Sequence, residues 1–156
     1  MIPDPVEYLH MVSEMQMTPT LRTYLPYIAW VQALIATTGS LYFSEVMRLP
    51  PCTLCWYQRL MMYPLVFVLA VSLLTQDRRV RAYALPLSVT GLVVAAYHNL
   101  LYYGIIPEGL TQCAAGVSCT ARQIEWLGFI TIPLLSLTAF SVITLSLLFT
   151  KVRGAQ

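Results

Sequence analysis

Residues 65–74 read LVFVLAVSLL, a run with no charge and no alternation of polar and apolar positions. A strand of a membrane barrel alternates and needs only about 10 residues to cross, whereas a helix crossing the ~30 Å hydrocarbon core needs about 20 mostly apolar ones. The run is therefore read as part of a helix, and it lies in a longer interval, residues 60–76, that contains no Asp, Glu, Lys or Arg. Working outward, three further intervals of this kind appear at residues 23–44, 82–107 and 126–150. Composition points the same way: of 156 residues 58% are hydrophobic and only 10% charged, with mean hydropathy +0.67, where an ordinary soluble domain carries roughly 25% charged residues. Nine Lys and Arg against seven Asp and Glu make no cationic surface for nucleic acid, and so much apolar area with little net charge excludes disorder.

The expected fold is all-α: a polytopic membrane protein built as an antiparallel four-helix transmembrane bundle. Its spans are expected at about 24–43, 57–75, 83–105 and 127–149, within a membrane domain 23–150 followed by a tail, 151–156. Trp56 and Tyr57 extend the second span back to the lipid–water boundary, where Tyr102, Tyr103 and Trp126 also fall. Pro86 fits a first helical turn, whereas Pro64 and Pro133 lie deeper and are expected to kink their helices. Arg22, Arg78, Arg79, Arg81, Lys151 and Arg153 flank one side, and Arg48, Arg59 and Arg122 the other. The positive-inside rule then puts both termini in the cytoplasm and two cysteine-bearing loops outside, residues 45–55 and 108–125. Residues 1–22 lack the basic start and apolar core of a signal peptide. Asp4, Pro5 and Glu7 suit a helix start, and Val6, Leu9, Met11, Val12 and Met15 recur at helical spacing, so a short amphipathic helix on the cytoplasmic face is expected there.

Four cysteines remain to be explained. Cys52 and Cys55 fall in the first outer loop, Cys113 and Cys119 in the second, on a face where disulfides can persist. As staples they would close very short loops, worth only about 2 kcal/mol each. A metal site formed by the two loops together is disfavoured by their separation and by the lack of histidines beside the cysteines, and no metal is expected. The first pair carries marks of reactivity. Pro50-Pro51 ends the loop and Cys52-Thr53-Leu54-Cys55 opens a helix, where the positive end of the macrodipole favours a thiolate. Arg59 follows Cys55 by one helical turn and Tyr63 by two. Snorkelling to headgroups is the ordinary reading of such an arginine. Beside a CxxC, its cation can also stabilise a thiolate and negative charge developing on an adjacent electron acceptor.

At this point the chain resembles the disulfide bond formation protein B family, in its short BdbC-like branch. The likeness rests on Cys52-Thr53-Leu54-Cys55-Trp56-Tyr57-Gln58-Arg59, on Tyr97-His98, on the spaced Cys113 and Cys119, and on Gly128-Phe129-Ile130-Thr131-Ile132-Pro133. The N-terminal extension departs from the family pattern. The resemblance implies a dithiol:quinone oxidoreductase of the bacterial plasma membrane. Such an enzyme reoxidises an extracytoplasmic thioredoxin-fold thiol oxidase and passes the electrons to menaquinone or ubiquinone in the bilayer. By the same resemblance, Cys113 takes the attack of the donor thiolate with Cys119 as its partner. The Cys52–Cys55 pair then receives the electrons, Cys55 becomes the thiolate beside the quinone, and Arg59 polarises a quinone oxygen.

His98 lies in an apolar run in the outer half of the third span, where an ionisable side chain is a functional candidate, and the family motif implies a place for it in the quinone site. Gln32 and Asn99 are read as interhelical hydrogen-bond partners, and Glu45 and Glu125 as solvated. Two rival readings stand beside this one. A vitamin K epoxide reductase-like protein has similar chemistry, but there the CxxC follows the loop pair in the chain, whereas here it precedes it. A tetraspanin-like scaffold would use the cysteines only as braces, and such braces resist mild reductants.

Overall fold

The computed structural model describes residues 19–77, 79–106 and 131–150. Cys113, Cys119, Arg122, Glu125 and Trp126, the motif residues Gly128 to Ile130, the N-terminal segment 1–18, Arg78 and the tail 151–156 lie outside the described residues. Among the described residues four α-helices follow in order: α1 Pro19–Leu41, α2 Thr53–Thr75, α3 Val80–Tyr102 and α4 Ile132–Phe149. α1 runs directly into a wider π-helical turn, Tyr42–Val46. α1 packs on α2 and α4, and α3 packs on the same two, so the helices form a four-membered ring. The protein is an all-helical membrane bundle, with no strand among the described residues.

The outer surface of the bundle differs from that of a soluble one. Phe67, Leu74 and Val93 are 72%, 85% and 62% exposed, while Gln58, Ser88, His98 and Asn99 are buried. A hydrocarbon solvent accounts for this distribution, because it wets large apolar side chains and drives polar ones toward one another. Three helices, Thr53–Thr75, Val80–Tyr102 and Ile132–Phe149, are long and apolar enough to cross a membrane. The inner face of α3 shows how the helices approach: Ala84, Ser88, Gly91 and Ala95 recur at alternating spacings of four and three and are all buried. A stripe of small residues lets neighbouring backbones come close and replaces the missing hydrophobic drive with dispersion contacts. Opposite it, Leu65, Leu69, Phe140, Ile143 and Leu147 fill the centre.

The ends of the helices explain where sequence reading placed prolines correctly and where it did not. α2 begins at Thr53, inside the CxxC, because Cys52 is extended and its sulfur accepts the Cys55 backbone N–H at 3.4 Å, a thiol acting as an N-cap. It ends with Gln76 in the left-handed region and the Asp77 N–H on the Ser72 carbonyl, a Schellman closure. Asp77 then accepts from the Arg79 N–H and the Tyr83 hydroxyl. These bonds hold its carboxyl below the usual range, the Tyr83 bond contributing most. They also start α3 at Val80. Pro86 consequently falls inside α3, beyond the first turn expected for it. Pro133 reverses the other expectation. It sits in the first turn of α4, behind a Thr131 cap whose hydroxyl accepts the Leu134 N–H. There its missing N–H costs nothing, so it starts the helix instead of kinking it. Pro64 does lie inside α2. Asn99 donates to the Pro133 carbonyl at 2.8 Å, fastening the far end of α3 to the start of α4.

Candidate functional site

The head of α2 gathers the chemistry. Pro50 and Pro51 cannot continue the preceding helix, and the left-handed Arg48 (φ 54°) reverses the chain just before them. The first turn of α2 then brings the Cys52 and Cys55 sulfurs to 2.8 Å from one another. Cys52 and Leu54 pack against Leu101 near the end of α3, so the pair is seated on the bundle rather than carried on an open loop. Cys52 is buried, whereas Cys55 is partly open.

Two sets of polar groups flank the pair. On one side, His98 of α3 places Nε2 at 3.8 Å from the Cys52 sulfur, and Gln58, one turn after Leu54, meets His98 Nδ1 at 3.3 Å. With the Gln58 amide N–H donating to Nδ1, the neutral ring carries its proton on Nε2, facing the sulfur. The Cys52 thiol is drawn below the ordinary thiol range. The Cys55 thiol's hydrogen bond is the main cause, acting against burial, and His98 adds in the same direction. On the other side, Arg59 donates from Nε to the Ser40 hydroxyl and from Nη2 to the Ser40 carbonyl, both at 2.9 Å, and stacks over Trp56 with 5.5 Å to the ring centroid. Nη1 has no hydrogen-bond partner among the described residues.

Beside this side lies a cavity of about 320 Å³ walled by α1, α2, α4 and the segment around Phe43 and Leu49. Cys55, Gln58 and Arg59 reach its wall, together with apolar Met62, Leu135 and Phe140. An apolar hollow of this size with a few polar groups at one helix end suits a small flat ligand with a polar oxygen. A quinone head fits that donor set: an arginine nitrogen for a carbonyl oxygen, a sulfur in the wall and, among the described residues, no carboxylate in the lining to repel it.

The structure therefore brings Cys52, Cys55, Arg59 and His98 together, and divides them. Cys55 and Arg59 share the cavity, whereas His98 is not in its wall and faces Cys52. Cys113 and Cys119 are outside the described residues. Ser40 and Gln58 were not singled out from sequence. Gln58 had a visible signal, an amide one turn from Leu54 and four residues before Met62 on the buried face of α2. Ser40 had none, because its role depends on a contact across 19 residues of chain.

Comparison with known proteins adds the following. The model of the family described as "Disulfide bond formation protein DsbB" matches residues 22–150. Disulfide bond formation protein C of Bacillus subtilis (strain 168) is 45% identical over 125 residues, covering 80% of this chain and 91% of its own. Probable disulfide formation protein C 2 of Bacillus cereus is 46% identical over 123 residues, 79% and 88% of the two chains. A probable disulfide formation protein of Metapseudomonas resinovorans is 41% identical over 127 residues, 81% and 88%. No solved structure matches the chain.

Proposed function

The chain belongs to the DsbB family of disulfide bond formation proteins, and from that premise we propose that it is a dithiol:quinone oxidoreductase that reoxidises an extracytoplasmic thioredoxin-fold thiol oxidase. The observation that carries this reading is the division of the cysteine pair: Cys55 opens onto the apolar cavity together with Arg59, while Cys52 is buried away from it.

Each turnover takes two electrons and two protons from the donor's dithiol. The donor thiolate attacks Cys113 of the Cys113–Cys119 disulfide, and its second thiol resolves the mixed disulfide, leaving both loop cysteines reduced. A loop thiolate then attacks Cys52 of the Cys52–Cys55 disulfide, so that Cys55 departs as the thiolate on the cavity side. Closing the Cys113–Cys119 disulfide frees Cys52, and His98 holds its sulfur through Nε2–H. Arg59, fixed by both bonds to Ser40, keeps a positive charge at the cavity wall where negative charge develops. Cys55, Arg59 and the apolar wall would hold a quinone, which when bound would supply the two-electron, two-proton sink that two protein disulfides alone lack. By the count of basic residues beside the spans, the cysteine loops face outward and both termini the cytoplasm.

The test is the absorption spectrum of purified protein carrying quinone, followed after addition of reduced donor. Quinone reduction that is lost in Cys55→Ser and in Cys113→Ser is expected. Turnover retained in either variant removes that cysteine from the path, and protein that neither carries nor accepts quinone defeats the reading.

A further inference from the structure

Cys52 Sγ, Cys55 Sγ and a ring nitrogen of His98 all lie within 4.8 Å of one another. This juxtaposition is not required by electron transfer to the cavity, since His98 stands outside the cavity wall. It brings two thiolates and one imidazole, from two different helices, to a common point. We infer that the reduced form of the protein is a binding site for zinc, ligated by Cys52, Cys55 and His98.

The ligand set is chemically apt. Two sulfurs and one nitrogen are a known three-ligand zinc set that leaves one position of the tetrahedron open. The Cys52 sulfur and His98 Nε2 are already 3.8 Å apart, close to the separation of two ligands bound at ~2.3 and ~2.0–2.1 Å in a tetrahedron. The two sulfurs, now at 2.8 Å, must move apart by about 1 Å to span the edge of a tetrahedron with ~2.3 Å bonds, a distance that side-chain rotation covers. Zinc-bound histidines give their other N–H to an acceptor that fixes the ring. Gln58 meets Nδ1 at 3.3 Å and, by turning its amide over, presents its oxygen to Nδ1–H while Nε2 takes the metal. The amide thus serves either tautomer of the ring.

Binding replaces whatever protons the two thiols still carry with one Zn²⁺ and involves no electron transfer. It is confined to the dithiol, because the Cys52–Cys55 disulfide offers no thiolate. Zinc would hold the pair reduced and stop turnover until chelated away. That stop rests on the function proposed above; the binding itself does not.

The experiment uses full-length protein in detergent with Cys113→Ser and Cys119→Ser, so that only the first pair can contribute. Zinc alone is titrated into the reduced protein against a chromophoric chelator, and the loaded sample is read by zinc X-ray absorption. One zinc per chain is expected in the reduced protein and none in the oxidised. The nearest neighbours should be two sulfurs at ~2.3 Å and an imidazole nitrogen at ~2.0–2.1 Å. His98→Gln, which keeps a buried amide, should weaken binding at least tenfold, since losing even an outer partner costs ~10–100-fold. Failure of the reduced protein to bind, binding to the oxidised protein, absence of imidazole scattering, or unchanged affinity in His98→Gln overturns the inference. Zinc binding without any quinone reduction by the parent protein would sink the proposed oxidase and leave the metal site standing.

Discussion

Adding one methyl group to α3 probes both the packing of the bundle and the shape of its cavity. A Cβ at Gly91 would stand 2.1 Å from Phe140 Cε1, 2.5 Å from Cζ and 2.6 Å from Cδ1, and Phe140 is only 1% exposed. Ordinary contact begins at 3.4 Å, so the ring must retreat by roughly 1.3 Å or the helices must part. Overpacking of this kind costs ~1–3 kcal/mol, and the better helix propensity of alanine returns about 1 kcal/mol. A 2.1 Å approach belongs to the upper part of that range, about 2–3 kcal/mol, so a net loss of about 1–2 kcal/mol is expected for Gly91→Ala, measured by reversible unfolding in mixed micelles. Phe140 also lines the cavity, and that hollow is the space into which its ring can move. Quinone affinity should therefore fall together with stability. Phe140→Leu shortens the offending side chain, so the double variant should recover at least ~1 kcal/mol relative to the sum of the single losses, a coupling expected only of residues in contact. A Gly91→Ala protein as stable as its parent, or strictly additive losses, would refute the reasoning.

Arg59→Ala should raise the quinone KM strongly while leaving exchange with the donor near its parental rate. Ser40→Ala, which removes one of the two Arg59 bonds, should show a smaller shift of the same kind; steady-state kinetics with varied quinone separates the two parameters. His98→Ala removes a donor from the Cys52 thiolate at the cost of a charged hydrogen bond, about 1.5 kcal/mol at the weaker end. The reduced state loses that stabilisation, so the Cys52–Cys55 potential should fall by about 30 mV, as read by glutathione equilibration. The depressed Cys52 pKa makes alkylation of the reduced pair persist as pH falls below the ordinary thiol range. Reactivity should be lost only in acid, and pH-resolved mass spectrometry of the alkylated protein checks this. Asn99→Ala releases the bond to the Pro133 carbonyl and should cost ~0.6–1.7 kcal/mol of bundle stability, measured in the same micelle assay as Gly91→Ala.

The parts of this molecule that sequence makes legible are those written locally. A charge-free run without alternation, such as 65–74, satisfies its backbone in lipid as a helix rather than as a barrel strand, and a CxxC after two prolines suits a helix start. Boundaries were less legible, because they are set by caps rather than by hydropathy. Asp77 sets the start of α3 so that Pro86 falls beyond its first turn, and Thr131 turns Pro133 from an expected kink into a helix start. The site was legible as a list and not as an arrangement. Nothing near His98 in the chain tells that it faces Cys52 rather than the cavity, since its partners Cys52 and Gln58 are 46 and 40 residues away. The widened turn at Tyr42–Val46 likewise has no composition signal.

One of the two atoms that steady Arg59 is a main-chain oxygen, the Ser40 carbonyl. No side-chain replacement at position 40 can delete it, so mutational scanning there registers only the hydroxyl's share. The carbonyl's share is tied instead to how far apart α1 and α2 stand. Sliding or splaying of those two rods relocates the guanidinium without any change of residue, which makes the placement of this charge a readout of bundle geometry.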